Sequence, residues 1–127
     1  MALSAARELG VDEHRVMKTL VFEDDQKRPL LVLMHGDKQV STKTLAIQLG
    51  VKSVTPCDPQ TAEKHTGYMV GGISPLGRRR RLATYVEESI LELPRIYVNG
   101  GRRGVMVEIT PPDLERVLEL TLVRVAR

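Results

Sequence analysis

A glycine-rich segment is the part of the chain best suited to hold a substrate. Residues 68–77 contain Gly71, Gly72 and Gly77 together with Pro75, and four arginines follow directly. Because glycine has no side chain, the backbone there can approach a ligand closely and turn its N–H groups toward an anion or a carbonyl oxygen. A tight turn between two elements is the structural alternative. The spacing matches neither the phosphate loop nor the dinucleotide-binding glycine motif, so nucleotide cofactors are disfavoured.

Lys18 is the second feature that could contact a charged or polarised group. It interrupts the apolar run at residues 16–22, and alternation along a strand would turn its side chain away from the neighbouring core residues. A lysine that lines a cleft could neutralise a phosphate or hold an ester or carboxyl group. The alternative is plain exposure to solvent, and spacing alone does not decide between the two.

The other reactive side chains form no recognisable catalytic or metal-binding motif. His14, His35 and His65 are far apart and lack the spacing of zinc-binding motifs. Cys57 has no adjacent histidine, which favours an incidental or structural thiol over a nucleophile, and Ser74 lacks the G-x-S-x-G context. Any catalysis is therefore expected to depend on positioning and backbone electrostatics, without a metal or a cofactor.

Length and composition predict one globular domain. The 127 residues are 42% hydrophobic and 28% charged, which argues against disorder and coiled coil, and the 3% of aromatic residues weakens any interpretation based on base stacking. No apolar run approaches the roughly 20 residues that a membrane helix needs. The N-terminus has no signal-peptide pattern, and the single Cys57 cannot form an internal disulfide. A reducing, cytoplasmic location is expected.

Positive charge is concentrated in one region. The chain has 19 Lys and Arg against 16 Asp and Glu, a net charge of +3, and residues 78–104 alone hold seven arginines against three glutamates. Such a concentration suits a polyanionic partner, because neutralising phosphates releases counterions. A solvated basic face explains the same pattern equally well.

Helix and strand signals alternate along the chain. Helices are predicted at residues 4–9, 41–49 and 58–66, each followed by a glycine, with Asp12 capping an extra turn and a last helix starting at Thr110. In that last helix Leu114, Val117 and Leu118 share a face. Strands are predicted at residues 16–23, 30–35, 52–55, 82–86, 95–98, 104–109 and 120–125, with hairpin turns at 24–28 and 99–101. The fold class is α+β, a mixed α/β domain whose antiparallel-rich sheet curls toward a barrel.

Three ordered segments resemble the YbaK/EbsC family. They are Lys18-Thr19-Leu20, residues 66–77 with the glycine-rich segment, and residues 96–104. The resemblance covers nearly all of residues 1–127 as one editing-like domain, although the chain opens at what looks like the family's second helix, without the helix and strand that precede it. Members are similar to the insertion editing domain of bacterial prolyl-tRNA synthetase. The resemblance therefore implies a curved, barrel-like fold and a trans-editing aminoacyl-tRNA deacylase, typically of Cys-tRNA(Pro), with prolyl-tRNA synthetase as a candidate partner.

The resemblance also implies site residues. Lys18 would be the active-site lysine near the terminal adenosine phosphates, and the loop would hold the aminoacyl carbonyl through backbone groups of Gly71, Gly72, Ile73, Ser74 and Pro75. In Cys-specific members the substrate's own thiol attacks its ester, so the protein needs no catalytic cysteine. Substrate or tRNA contacts are expected from Tyr68, Asn99, Gly100 and Gly101 and, on the basis of charge, from Arg78, Arg79, Arg80, Arg81, Arg102 and Arg103.

Two alternatives remain open from the sequence. A pocket of this kind could select Ala or another small residue on tRNA(Pro), because one methylene separates substrates by only about 1 to 3 kcal/mol. A non-catalytic tRNA- or synthetase-binding module is the other alternative. It is favoured by the missing N-terminal elements and by Met106, which stands where many relatives carry Asp and so removes an expected polar contact to the substrate or Lys18.

Overall fold

The computed structural model describes residues 2–68, 73–75, 82–102 and 105–127. The described helices are α1 (Ala2–Leu9), α2 (Thr42–Leu49), α3 (Pro59–Thr66) and α4 (Pro111–Val117), with short 3-10 helices at Glu13–Arg15 and Glu88–Glu92. The described strands are β1 (Met17–Asp24), β2 (Pro29–His35), β3 (Val54–Pro56), β4 (Ala83–Glu87), β5 (Ile96–Asn99), β6 (Met106–Ile109) and β7 (Thr121–Val123). The predicted α+β class is confirmed.

The strands form a five-stranded sheet and a separate hairpin. The sheet has the order β3-β1-β2-β4-β7, in which β1 pairs antiparallel with β2 and β3, whereas β4 pairs parallel with β2 and β7. β5 and β6 form the antiparallel hairpin, and a single bridge from Val16 to Tyr97 joins it to the start of β1. Among the described strands, β3 and β7 remain the two ends of an open sheet. The barrel expectation is therefore only approximate, because the sheet curves without closing.

Side-chain caps fix where the helices begin. Ser41 and Asp58 accept hydrogen bonds from the backbone N–H groups of Thr44 (3.3 Å) and Thr61 (2.7 Å), and Thr110 caps α4 in the same way. α2 and α3 end at glycines in the left-handed conformation. The prediction that Asp12 caps a further turn is wrong. Asp12 directly precedes the 3-10 helix, but its side chain makes no capping hydrogen bond to it.

Apolar side chains cover both faces of the sheet. On one face Phe22, Val32 and Met34 pack against Leu45 of α2. On the other face the half near the hairpin holds Met17, Leu33, Ile96 and Leu114, and the half near α3 holds Val21, Leu31, Ala62 and Ile73. β1 therefore contributes side chains to three apolar clusters.

The outer hairpin strand has apolar residues at alternate positions (Val105, Val107 and Ile109), but this apolar side is only partly buried. Ile96 and Val98 of β5 are fully buried, whereas Val105 and Val107 are 45% and 38% exposed because β6 is the outer strand. These two valines instead pack over Gly100, where a Cβ atom would come within 3.0 Å of Val105. The expected common face of α4 is likewise incomplete. Leu114 and Leu118 are buried, but Val117 is 62% exposed, since this seven-residue helix contacts the core along a narrow line.

A buried polar network connects β2 to the C-terminus. His35 is fully buried, with Nδ1 2.8 Å from the His14 carbonyl oxygen and Nε2 2.8 Å from Ser89 Oγ. Ser89 in turn contacts Glu87 Oε2 at 2.8 Å, and Glu87 Oε1 accepts the backbone N–H groups of Val125 (2.7 Å) and Ala126 (3.0 Å). Burial acts to raise the pKa of Glu87, but these hydrogen bonds outweigh it and hold the pKa below its ordinary value.

Burial of His35 predicts a loss of stability in mild acid. Desolvation lowers the pKa of His35 from its ordinary 6.5, and it outweighs the hydrogen bond to the His14 backbone and the charges of Asp37 and Glu87, which act to raise it. Unfolded chains take up this proton below pH 6.5, whereas folded chains resist it until the lower, native pKa. The free energy of unfolding is thus fully retained above pH 6.5 and decreases as the pH falls from 6.5 toward the native pKa. Urea unfolding at a series of pH values between 7.5 and 5 measures this slope.

The control for this prediction is His35→Gln, which cannot titrate in that range. It should lower stability at every pH and flatten the slope. An equal slope in both proteins would assign the pH dependence to other groups.

Candidate functional site

The edge of β1 that faces away from β2 is the centre of the candidate site. On the side away from β2, β3 pairs only with Phe22, Glu23 and Asp24, and Val16 bridges to Tyr97 of the hairpin. Between these two contacts no described strand pairs with β1 on that side. Backbone groups at Lys18, Thr19 and Leu20 therefore lie at a gap between β3 and the hairpin, where a ligand could hydrogen-bond to them.

A cavity of about 330 Å³ opens at this gap. Its volume is within the range of small-molecule sites. The walls come from the strand edge, the start of α2 and the segment that enters α3. The lining residues are Lys18, Thr19, Leu20, Val21, Phe22, Gln39, Val40, Thr42, Pro56, Cys57, Pro59, Ala62 and Ile73.

Lys18 lies in the wall of this cavity and is half-buried. It shares a strand face with Leu20 and Phe22, which pack on the cluster below α2. The expectation that Lys18 lines a cleft is met, and the alternative of plain solvent exposure is not. Among the described lining residues most side chains are apolar and Lys18 carries the cationic group, so its ammonium can attract an anionic or polarised part of a ligand there.

Thr19 is a cavity residue that motif reasoning did not single out. Its Oγ1 atom is buried and has no hydrogen-bond partner among the described residues. A buried hydroxyl without a partner costs about 1 to 3 kcal/mol, so native structures rarely keep one without a reason. A ligand in the cavity would supply the missing partner. No sequence pattern pointed to this hydroxyl, because a threonine inside a strand is ordinary.

The described part of the glycine-rich loop is buried against the cavity. Ile73 and Ser74 are 6% and 2% exposed, Pro75 is also buried, and Ile73 both lines the cavity and packs with Val21 of β1 and Ala62 of α3. The structure thus brings Lys18 and the loop to one cavity. The predicted residues Gly71, Gly72, Arg78, Arg79, Arg80, Arg81 and Arg103 lie outside the described residues.

The hairpin turn is next to the loop rather than in the cavity wall. A Cβ atom on Gly101 would lie 3.5 Å from Cε1 of Tyr68, and Tyr68 packs on the same cluster as Ile73. Gly101 has a φ of +98°, and its N–H donates to Asn99 Oδ1 at 2.9 Å. Asn99, Gly100, Gly101 and Tyr68 do not line the cavity itself, and Arg102 is exposed beside the turn.

Cys57 lies in the cavity wall as a protonated thiol. Burial, and then the carboxylates of Glu23 and Asp58, raise its pKa to about 11. Reactive cysteines have the opposite environment, with cations or helix N-termini that lower the pKa. The prediction that Cys57 is not an activated nucleophile agrees with this environment.

Comparison with known proteins decides the family. Residues 2–117 match the family model of the aminoacyl-tRNA editing domain. The chain belongs to this family. EbsC of Enterococcus faecalis, a protein named as a candidate Cys-tRNA(Pro)/Cys-tRNA(Cys) deacylase, is 34% identical to this chain over 120 residues. The match covers 94% of this chain and 71% of that protein. The resemblance predicted from the three sequence segments is confirmed.

Other relatives place the same editing domain inside larger enzymes. The proline–tRNA ligase of Moorella thermoacetica is 33% identical over 108 residues, which are 81% of this chain but 18% of that enzyme. Among solved structures, a hypothetical protein matches with a TM-score of 0.93 at 26% identity, covering all of this chain and 84% of that one. A candidate trans-editing enzyme for prolyl-tRNA synthetase matches with a TM-score of 0.89 at 23% identity, covering all of this chain and 80% of that one, which supports the fold alone.

Two further observations bear on the predictions for this editing domain. Met106 pairs with Asn99 across the hairpin and is half-buried, so no carboxylate stands at this position.

None of the helices in the described residues has the length and apolar character to cross a membrane.

Proposed function

We propose that this editing domain acts in trans as a deacylase that removes cysteine from Cys-tRNA(Pro). The observation that carries the proposal is the shared cavity at the open edge of β1, which is lined by Lys18 and by Ile73 of the glycine-rich loop. The names of the relatives support the substrate class, because EbsC is named for Cys-tRNA(Pro) and Cys-tRNA(Cys) and the domain recurs in proline–tRNA ligases.

The cavity suits the end of an aminoacyl-tRNA. Lys18 holds the terminal adenosine phosphates or the polarised ester, and the backbone of residues 71–75 holds the aminoacyl carbonyl. The apolar wall formed by Leu20, Val40 and Ala62 excludes water from around the amino-acid side chain. Catalysis in this arrangement comes from orientation and from electrostatic stabilisation of the developing oxyanion.

The substrate supplies its own nucleophile. The cysteinyl thiol loses its proton, its sulfur forms a bond to the ester carbonyl carbon, and the bond from that carbon to the ribose oxygen breaks. The ribose oxygen keeps the electron pair and takes up a proton, which leaves intact tRNA and a four-membered thiolactone that water then opens to cysteine. The protonated state of Cys57 supports this division of roles, because a thiol with a pKa of about 11 is a poor nucleophile at neutral pH.

The test is hydrolysis of a matched set of charged tRNAs by the purified chain. Cys-tRNA(Pro), Ser-tRNA(Pro) and Ala-tRNA(Pro) share one tRNA, and serine differs from cysteine only by oxygen in place of sulfur. Rapid loss of the cysteinyl ester with slow loss of the seryl and alanyl esters is expected. Preferred hydrolysis of Ala-tRNA(Pro) would contradict the thiol mechanism while keeping the deacylase class. Salt-sensitive tRNA binding without loss of any ester would contradict catalysis altogether.

Replacing Thr19 by valine should have opposite effects on the stability of the fold and on deacylation activity. Thr19→Val keeps the shape of the side chain and removes the buried Oγ1, so the free energy of unfolding should rise by about 1 kcal/mol. If the bound ester or ribose satisfies this hydroxyl, kcat/KM for deacylation should fall by about tenfold, the worth of one hydrogen bond. Urea unfolding and single-turnover deacylation measure the two effects.

Thr84→Val is the matched control for Thr19→Val. Thr84 is also buried, but its Oγ1 donates to the Leu82 carbonyl oxygen at 3.1 Å. This variant should lose stability and keep its activity. A Thr19→Val protein that is both destabilised and fully active would remove Thr19 from the site.

A further inference from the structure

Three metal-ligating side chains from separate elements converge beside the cavity. They are Glu23 at the end of β1, Cys57 between β3 and α3, and His65 in the last turn of α3. One ligand atom from each lies within 4.8 Å of the others, and His65 Nε2 is 2.7 Å from Glu23 Oε2. The side chains of His65 and Glu23 are only 21% and 17% exposed. Their spacing in the sequence matches no metal-binding motif, so only the fold brings them together.

The local structure holds the three donors in place. The backbone N–H of Cys57 donates to the carbonyl oxygen of Val21 at 3.0 Å, which ties the thiol to the strand that carries Glu23. Asp58 caps α3 directly after Cys57, and the helix then places His65 back over β1. The helix start and the strand are both fixed, so the three ligand atoms stay within reach of one ion. Binding requires only side-chain rotations that separate His65 Nε2 from Glu23 Oε2, now 2.7 Å apart, to the roughly 3 to 4 Å between ligands of a tetrahedral ion.

We propose that Glu23, Cys57 and His65 bind a divalent transition-metal ion, with Zn²⁺ as the best match to the donor set. Thiolate, imidazole and carboxylate are the ordinary zinc ligands, at bond lengths of about 2.0 to 2.3 Å, which place tetrahedral ligand atoms about 3 to 4 Å apart. Mg²⁺ and Ca²⁺ prefer oxygen ligands only, and a thiolate selects against them. Three protein ligands leave the fourth position to a water molecule, as in exchangeable rather than closed structural sites.

Binding releases one proton, which comes from Cys57. The Cys57 S–H bond breaks as the sulfur–metal bond forms, and the proton passes to the solvent. His65 binds through Nε2, with its ring proton on Nδ1, so bonds from Nε2 and Oε2 to the ion replace the hydrogen bond between His65 and Glu23. The two negative ligand charges then offset the charge of the ion, which makes a half-buried site favourable.

A second cluster of possible metal ligands lacks a thiol and holds a histidine whose ring nitrogens are both hydrogen-bonded, and it serves as the control for metal binding. His14, His35 and Asp37 also place ligand atoms within 4.8 Å of one another. However, both ring nitrogens of His35 are hydrogen-bonded inside the core, and the group contains no thiol. Metal binding there would break the buried network that connects β2 to the C-terminus.

Titration of the metal-stripped chain with Co²⁺ tests the proposal. One Co²⁺ per chain should bind with a thiolate-to-cobalt charge-transfer band in the near ultraviolet, and Zn²⁺ should displace it. Cys57→Ser should lose this band, and Glu23→Gln and His65→Gln should weaken binding at least tenfold. His14→Gln, which removes a histidine of the control group with its 2.8 Å carboxylate contact, should bind as the unchanged chain does.

A second measurement needs no substitution and therefore does not depend on a variant that folds. Zn²⁺ should slow alkylation of Cys57 by iodoacetamide at least tenfold and raise Tm by several degrees, whereas Mg²⁺ should do neither. Absence of the charge-transfer band from the unchanged chain, or its persistence in Cys57→Ser, would overturn the proposal. Neither measurement uses deacylation, so the result is independent of the proposed function.

Discussion

Lys18→Ala should lower kcat/KM for deacylation of Cys-tRNA(Pro) by about 100-fold to 1,000-fold, the usual cost of removing one preorganised group that stabilises developing charge. The effect should be large because most of the wall around Lys18 is apolar, and an ammonium group is worth more where water is excluded. The fold should persist, because Lys18 is half-buried and does not belong to a core cluster of the described residues. Single-turnover hydrolysis of preformed Cys-tRNA(Pro) measures the rate.

Two controls separate this role from a general effect of charge. Lys52→Ala removes an exposed lysine that does not line the cavity, and it should leave kcat/KM nearly unchanged. Lys18→Arg keeps the charge but changes the geometry of the donors, so it should restore only part of the activity. A Lys18→Ala protein with the rate of the unchanged chain and an unchanged salt dependence would remove Lys18 from the mechanism.

Glu87→Gln should be strongly destabilising for a conservative change, with a loss of about 3 kcal/mol or more in the free energy of unfolding. Glu87 is 4% exposed, and its two carboxylate oxygens accept four hydrogen bonds, from the N–H and Oγ of Ser89 and from the N–H groups of Val125 and Ala126. An amide replaces one acceptor oxygen with an NH₂ group, which then faces N–H donors. At least one buried donor, either in Ser89 or in the segment after β7, therefore loses its partner.

Glu88→Gln is the neighbouring control. The Glu88 side chain is 44% exposed and forms a surface pair with Arg124 at 2.8 Å, an arrangement that contributes little in water. Thermal and urea unfolding should show a large fall in Tm for Glu87→Gln and a small one for Glu88→Gln. Equal effects of the two variants would mean that the buried network does not stabilise the fold.

Metal bound at Cys57 would affect assays of deacylation activity. Cys57 contributes both to the cavity wall and to the proposed metal site, so a bound ion would change the shape and charge of that wall. Deacylation rates of metal-stripped and Zn²⁺-loaded protein should therefore be compared before substrate preferences are interpreted. Thiol substrates are also zinc ligands, which makes this comparison most important for Cys-tRNA(Pro).

Features coded by neighbouring residues could be predicted from the sequence. The helices that begin at Ser41, Asp58 and Thr110 and the glycines that end α2 and α3 follow from caps within one turn, and all three caps are formed. The hairpins followed from polar turns between β-prone runs. The family was recognisable from Lys18-Thr19-Leu20 and the glycine-rich segment, because these residues are close together in sequence. These features depend on local hydrogen bonds and spacing, which the order of residues fixes directly.

Only the tertiary structure decided which distant residues meet. The gap beside Lys18 exists because β3 pairs with the last part of β1 and the hairpin reaches only its start, and no local pattern specifies those registers. Burial of Thr19 Oγ1, the attachment of the C-terminal segment to Glu87, and the meeting of Glu23, Cys57 and His65 depend in the same way on strand register and helix packing. Such contacts join residues tens of positions apart, and their formation is set by how the whole core packs rather than by any one segment.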